Sequence, residues 1–222
     1  MAYTTVHLLR HGEVDNPEGI LYGRLKGFGL TPLGKEMANT VADFLVDQGA
    51  DITAVIASPL LRAQQTAAPT ARAYGLAVEA DPRLIEAGNE FEGMQVNKNR
   101  WALAHPRYWP RYRDPFLPSW GEPYAQISQR MAAAIAAAAQ QARGHEALLV
   151  SHQLPIVTVQ RFLEGKALAH NPLWRQCSLA SLTSVTFDGD QLVGWNYTEP
   201  AIGLLVEAAD MNPGASGAGT RR

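Results

Sequence analysis

An α/β layered fold with a mostly parallel sheet is what the sequence predicts, and three observations carry that expectation. Short apolar runs recur at 6–9, 54–57 and 147–150, each ended within a few residues by polar or turn-forming residues. Between and after them lie segments whose apolar residues return at three- and four-residue steps, the period of a helix with one buried face. Strand and helix therefore alternate, which places a binding crevice beyond the carboxyl ends of the strands.

Taken in order, Val6-His7-Leu8-Leu9 reads as a buried strand that stops where Gly12 lets the backbone turn. Thr31-Pro32 supplies an N-cap and a first-turn proline. Leu33, Met37, Val41, Phe44 and Leu45 then form the apolar face of a helix of about 17 residues, closed by Gly49. Ala54-Val55-Ile56-Ala57 is the next strand, and Ser58-Pro59 is expected to cap a helix running through Arg62 and Thr66 to Tyr74, before Gly75. An alanine-rich helix is predicted over 122–143, then the strand Ala147-Leu148-Leu149-Val150 and a helix from Leu154 to Leu163. Leu182–Phe187 and Gln191–Tyr197 flank Asp188-Gly189-Asp190, a turn that suits a hairpin. No internal repeat is visible. Residues 1–202 are read as one domain, and the glycine-rich stretch inside 203–222 has no periodic apolar face and is expected to be a flexible tail.

Composition narrows the function classes. At 222 residues the length fits one domain with elaborations, and 46% hydrophobic residues supply a large core. Nineteen Lys and Arg against 21 Asp and Glu leave a net charge of -2, so no overall basic field draws the chain to nucleic acid or to a membrane surface. Any anion must be met locally. The single cysteine, Cys177, cannot form an internal disulfide, and no Cys/His cluster has zinc-ligand spacing, so no metal and no cofactor is expected. Neither a signal peptide nor a membrane span is read, and a cytoplasmic location is expected.

Four segments carry candidate chemistry, each at or just after a strand: Leu9-Arg10-His11-Gly12-Glu13 with Asn16 and Gly23-Arg24 beyond it, Ser58 to Ala67 with Arg62, Arg83-Leu84-Ile85-Glu86, and Val150-Ser151-His152. An arginine beside a histidine at a strand end pairs a fixed cation with an imidazole, and Gly12 is read as permitting close approach of the backbone to a ligand. Arg62 lies near the amino end of a helix, which favours anions. A phosphoryl group is the ligand such a set would meet. His7 and His145 are read as structural, one alternating on a strand and the other in a turn. His11 and His152 differ because both follow apolar strands at the expected crevice.

Taken together these residues resemble the histidine phosphatase superfamily, which includes the cofactor-dependent phosphoglycerate mutases and many phosphatases. The match runs over about residues 5–197 and is most specific in Arg10-His11-Gly12-Glu13, Ser58-Pro59-Leu60-x-Arg62-Ala63-x-x-Thr66-Ala67 and Val150-Ser151-His152. The resemblance implies a three-layer sandwich with helices on both faces of the sheet. It also implies that His11 is the nucleophile, forming a covalent phosphohistidine, and that Arg10, Arg62 and His152 hold the phosphoryl oxygens. Glu86 matches the acid that protonates the leaving oxygen; Asn16 and Gly23 match positions near phosphate and substrate, and Gln153 offers a backbone N–H there.

Physical chemistry makes those roles intelligible. Phosphoryl transfer spreads charge over three oxygens, so positioning and electrostatic stabilisation are the protein's main work. Imidazole attacks only when neutral; neighbouring arginines should lower its pKa, and a backbone carbonyl is expected to hold its other nitrogen protonated. A proton donor has the opposite need and must keep its acid form.

Departures from the family pattern shape the remaining expectations. The chain is one residue shorter between Glu86 and Glu92-Gly93, so Glu90 and Glu92 stand as alternative proton donors. Gln153 replaces a common glycine, and a left-handed backbone there would be strained. Ala87-Gly88-Asn89 stands where the mutase branch has Arg-His-Tyr, which argues for hydrolysis. An insertion at about 87–121 interleaves Lys98, Arg100, Arg107, Arg111 and Arg113 with Trp101, Tyr108, Trp109, Tyr112 and Trp120; it reads equally as a cap over the pocket or as a surface segment with packed tryptophans. Gly121-Glu122 resembles a pair that relatives place near the site. The expected activity is metal-independent hydrolysis of a small phosphomonoester. A phosphoglycerate mutase and a non-catalytic phosphate-binding protein are the alternatives, and the oligomeric state is left open, a homodimer being one option.

Overall fold

The computed structural model describes residues 2–95, 121–171 and 175–208. Six strands form one sheet: β1 (Tyr3–Arg10), β2 (Ile52–Ala57), β3 (Val78–Ala80), β4 (Glu146–Ser151), β5 (Leu182–Asp188) and β6 (Gln191–Thr198), in the order β3-β2-β4-β1-β5-β6. Strands β3, β2, β4 and β1 run parallel, and the hairpin β5–β6 adds antiparallel to β1. Among the described residues four helices cover the sheet: α1 (Pro32–Asp47), α2 (Leu61–Ala73), α3 (Tyr124–Gln141) and α4 (Gln153–Leu163).

Both faces of the central strands β1, β2 and β4 are buried, as parallel strands require, while the edge strands β3 and β6 are half-open. Alternate residues of each strand point to opposite sides. Val6, Leu8, Ala54, Ile56, Ala147 and Leu149 pack against α3 and α4 through Ile127, Met131 and Ile156. Leu9, Val55, Ala57, Leu148 and Val150 pack against α1 and α2 through Met37, Val41, Leu45, Ala63 and Ala67. The result is the three-layer α/β sandwich. Leu8, Leu9, Leu148 and Leu149 are all at 0% exposure, and each such burial stabilises the fold by about 1.5–3 kcal/mol.

Local signals explain most element ends. Thr31 Oγ1 accepts from the Gly34 N–H at 2.9 Å, Pro32 opens α1, and Gly49 at φ 66° closes it. Gly189 at φ 58° turns the β5–β6 hairpin. The cap expected at Ser58-Pro59 is a correction: the N-cap position of α2 is Leu60, with no side-chain cap, and the Ser58 hydroxyl accepts the Leu60 N–H at 3.4 Å and no N–H of the helix itself. The edge strand β3 carries no apolar run and escapes a sequence reading, because parallel pairing with β2 defines it. Of the expected tail, residues 203–208 are described: a short 3-10 turn at Ile202–Leu204 leads to Leu205, which is buried against the α1 side of the core. The stretch 209–222 and the greater part of the insertion, 96–120, lie outside the described residues. No described helix is long and apolar enough to cross a membrane.

Candidate active site

The sheet register builds the site. β1 and β4 are neighbours with Arg10 opposite Ser151, so the next residue of each strand, His11 and His152, emerges at the same edge. Their rings meet edge to face with centroids 5.2 Å apart, and both are buried. The loop after β2 brings Ser58 and Arg62 there, and the segment after β3 brings Glu86. This is the crevice at the carboxyl ends of the parallel strands.

His11 is fixed through its own neighbour: Nδ1 donates to the Gly12 carbonyl at 2.8 Å, which leaves Nε2 with its lone pair. Burial, then the charges of Arg62 and Arg10, hold its pKa well below the usual imidazole range, so it stays neutral at physiological pH. Gly12 itself is a correction. Its close approach is to the first turn of α1, since a Cβ there would sit 2.4 Å from the Gly34 carbonyl oxygen, and one on Gly34 would sit 2.1 Å from the Glu13 carbonyl. Two glycines facing each other thus seat α1 against the His11 backbone. Thr66 adds a second tie, accepting from the Gly12 N–H at 3.2 Å.

Arg62 is fully buried. Nη2 donates to the Gly23 carbonyl at 2.7 Å and the guanidinium stacks 4.6 Å over the Tyr22 ring, while Nε and Nη1 have no hydrogen-bond partner among the described residues. A buried cation with two unfilled donors is costly unless an anion completes it. Arg10 is also buried and donates through Nη1 to the Cys177 carbonyl. His152 directs Nε2 to Ser58 Oγ at 2.8 Å and leaves Nδ1 without a partner among the described residues. Burial first, then Arg62 and His11, lower its pKa well below the usual value.

Glu86 carries the opposite perturbation. Burial raises its pKa, opposed by the Ala87 N–H that donates to Oε1 at 2.8 Å and by the charges of Arg62, Arg175 and Arg10. Its backbone is held by side chains from three elements. Arg130 donates to the Arg83 carbonyl, Ser151 Oγ to the Leu84 carbonyl at 2.8 Å, and Arg24 Nε to the Glu86 carbonyl at 2.7 Å. Glu122 ties the two arginines together, 2.8 Å from Arg24 Nη2 and 2.9 Å from Arg130 Nε. Glu92 has Oε1 occupied by the N–H groups of Arg24 and Asn89, and Glu90 is exposed.

The other expected residues take supporting places. Gly23, at φ 37° and with Glu92 where a Cβ would be, presents the carbonyl that orients Arg62. The Asn16 carboxamide donates to the Ile20 carbonyl and accepts from the Ile20 N–H, closing the loop from 16 to 20. Gln153 opens α4 after the N-cap His152, without the left-handed backbone considered from the sequence. Ser58, Tyr22 and Arg175 belong to the site and were missed. Ser58 stands in the second candidate segment, where a serine before proline reads as a local cap, and the other two give no signal until the chain is folded. His7, bonded to Ser184 and Glu146, and His145, bonded to Asp51, lie in a structural setting.

The assembly offers an imidazole held neutral, unfilled guanidinium donors and a carboxyl group whose pKa is raised, a set whose donors and charges suit an anion. Comparison with known proteins agrees in fold and family. The histidine phosphatase superfamily (branch 1) matches residues 6–198. The chain is 54% identical over 198 residues to "Uncharacterized protein Rv0525" of Mycobacterium tuberculosis, spanning 89% of this chain and 97% of that one. It is 34% identical over 158 residues to "Probable phosphoglycerate mutase GpmB" of Yersinia enterocolitica, spanning 68% and 70%. Among solved structures, the mycobacterial glucosyl-3-phosphoglycerate phosphatase Rv2419c superposes with a TM-score of 0.68 at 23% identity, over 89% of this chain and 98% of that one, a likeness of fold.

Proposed function

Because the chain belongs to the histidine phosphatase superfamily, branch 1, we propose that it hydrolyses a small phosphomonoester without metal, through a covalent phosphohistidine on His11. In the first step the Nε2 lone pair of His11 attacks phosphorus in line while the bond from phosphorus to the ester oxygen breaks. Glu86 gives its proton to that oxygen, which leaves as an alcohol. Arg10, Arg62 and His152 carry the charge on the three phosphoryl oxygens. In the second step the Glu86 carboxylate takes a proton from water, the oxygen attacks phosphorus, and the N–P bond breaks to release inorganic phosphate and neutral His11.

The observation that carries this reading is the pairing of opposite perturbations around unfilled donors: a histidine held neutral, a carboxyl held toward its acid form, and Arg62 Nε and Nη1 without partners. Phosphohydrolysis is favoured over a mutase reaction because Ala87-Gly88-Asn89 follows Glu86 without a cation, and in the structure those residues turn back to the 121–122 backbone through the Glu122 N–H and Gly88 carbonyl. The likeness to a GpmB sequence supports the mutase alternative on the same intermediate.

The test is phosphate release from a phosphomonoester panel by wild type and His11→Ala in the presence of chelator. Release by wild type alone, with an acid-labile phosphoenzyme that the variant lacks, is the expected outcome. Dependence on added metal, or labelling of the variant, would remove His11 from this role. Conversion of 3-phosphoglycerate to 2-phosphoglycerate with a bisphosphoglycerate primer and little free phosphate would favour the mutase. A protein that binds phosphate yet hydrolyses no ester would be the non-catalytic alternative.

A further inference from the structure

Beyond the groups that hold the transferred phosphate, one more arginine reaches the site. Arg175, in the segment before β5, lies near enough to Glu86 and Arg10 for their charges to couple, yet it forms no ion pair with Glu86. Its orientation is locked at one nitrogen. Nε donates to His170 Nε2 at 2.9 Å, and His170 must be an acceptor there because its Nδ1 donates to the Leu168 carbonyl at 2.7 Å. The His170 ring in turn rests 5.6 Å from the Tyr124 ring. The two terminal nitrogens of Arg175 are left without a hydrogen-bond partner among the described residues.

That pattern differs from the roles of Arg24 and Arg130, whose forks are filled by Glu122 and by backbone carbonyls. Arg175 is only partly exposed, and burial is the main influence on its pKa, with Glu86 among the groups that oppose it. A desolvated guanidinium held by one edge, with the other edge open, is arranged to receive a planar or tetrahedral anion. Cys177, two residues on, accepts from Arg10, and Tyr124, against the His170 ring, follows the Glu122 that holds Arg24 on the Glu86 carbonyl, so the segment of Arg175 lies at the Glu86 end of the site, where a leaving group departs. The phosphate is already served by Arg10, Arg62 and His152.

We infer that Arg175 is a specificity-determining residue: it binds a second anionic group, carboxylate or phosphate, on the leaving portion of the substrate. The inference rests on the phosphomonoesterase reading and narrows it to esters with such a second charge close to the transferred phosphate.

Two esters that differ only in that group decide it: 3-phosphoglycerate, with a carboxylate, and glycerol 3-phosphate, with a hydroxymethyl in its place. For wild type, Arg175→Gln and Arg175→Lys, the quantity read is the ratio of kcat/KM for the first ester to that for the second. Arg175→Gln is expected to lower the ratio roughly ten- to hundredfold, the range for a lost charged hydrogen bond, and Arg175→Lys to restore part of it. An unchanged ratio, including an equal fall for both esters, overturns the inference while leaving hydrolysis intact. The same pair is titrated by calorimetry into His11→Ala and His11→Ala/Arg175→Gln, where neither ester turns over. Discrimination lost with Arg175 in that assay upholds the inference even if the wild type proves not to hydrolyse esters. Equal binding of both esters before and after the change refutes it.

Discussion

Ser58 and His152, 94 positions apart in the chain, are joined by a 2.8 Å hydrogen bond between the serine hydroxyl and Nε2 of the imidazole. The serine oxygen also lies 3.4 Å from the Leu60 N–H that donates to it, so its own proton is available to His152. With Nε2 accepting, the ring proton resides on Nδ1, the nitrogen that has no partner among the described residues. In that tautomer the Nδ1 N–H is the donor left for an incoming oxygen, and the serine aims it.

Ser58→Ala should lower kcat/KM by roughly tenfold, the scale of one lost orienting hydrogen bond, with the fall shared by all phosphomonoesters because the phosphoryl group is common to them. Steady-state kinetics on two unrelated esters checks this. An undiminished rate would show that His152 needs no such partner.

Glu86→Gln should reveal the proton donor through the leaving group. Loss of general acid catalysis typically costs about 10²- to 10⁴-fold, but only where the departing oxygen needs a proton. Alkyl phosphates should suffer that loss, whereas a nitrophenyl phosphate, whose leaving oxygen is already stable as an anion, should lose far less. Equal losses on both would shift the role toward Glu92 or Glu90.

Gly12→Ala should unsettle both the fold and the nucleophile. The new methyl would meet the Gly34 carbonyl oxygen at 2.4 Å, and that oxygen belongs to a helix backbone that cannot swing aside. Overpacking of this kind costs about 1–3 kcal/mol, several degrees of Tm for a chain of this size. Activity should fall further than stability, because the Gly12 carbonyl orients His11. Thermal unfolding and kinetics on the same preparation separate the two effects.

Stability should decline in mild acid. His11 and His152 have pKa values held well below 6.5 in the folded protein, so below about pH 6.5 the unfolded chain binds more protons than the native one and stability falls with pH. Glu86, whose pKa is raised, acts in the opposite sense: its contribution weakens as pH rises from 4.5 toward its folded value. His170, lowered mainly by burial, acts with them, and three histidines against one carboxyl leave a net loss toward acid. Melting curves from pH 7.5 to 5.5 should show a falling Tm, and His152→Asn should flatten the slope; an equally steep slope in that variant would point to other groups.

Much of this was legible in the sequence because it rests on local rules. Thr31-Pro32 announces α1 by cap chemistry, and the apolar runs announce β1, β2 and β4, since strands buried on both faces need no polar alternation. The strand-end placement of Arg10, His11, Arg62 and His152 followed from the alternation of elements. What escaped depends on partners far along the chain. Ser58 obeyed the pattern of a helix cap, but the tertiary bond to His152 took its hydroxyl. Gly12 read as room for a ligand, whereas the atom that needs the room belongs to Gly34. Arg175 follows no periodic signal, and only the packing of the segment before β5 brings its charge within reach of Glu86.

The order of the sheet has a consequence for biosynthesis. β4 lies between β1 and β2, although it is made long after both. A ribosome-bound chain that has emerged only through α2 therefore holds two strands with no shared edge, and His11 has no His152 beside it. Insertion of the late strand into the middle of the sheet is then a slow, non-local event, and His11 and His152 meet in the same motion that completes the core.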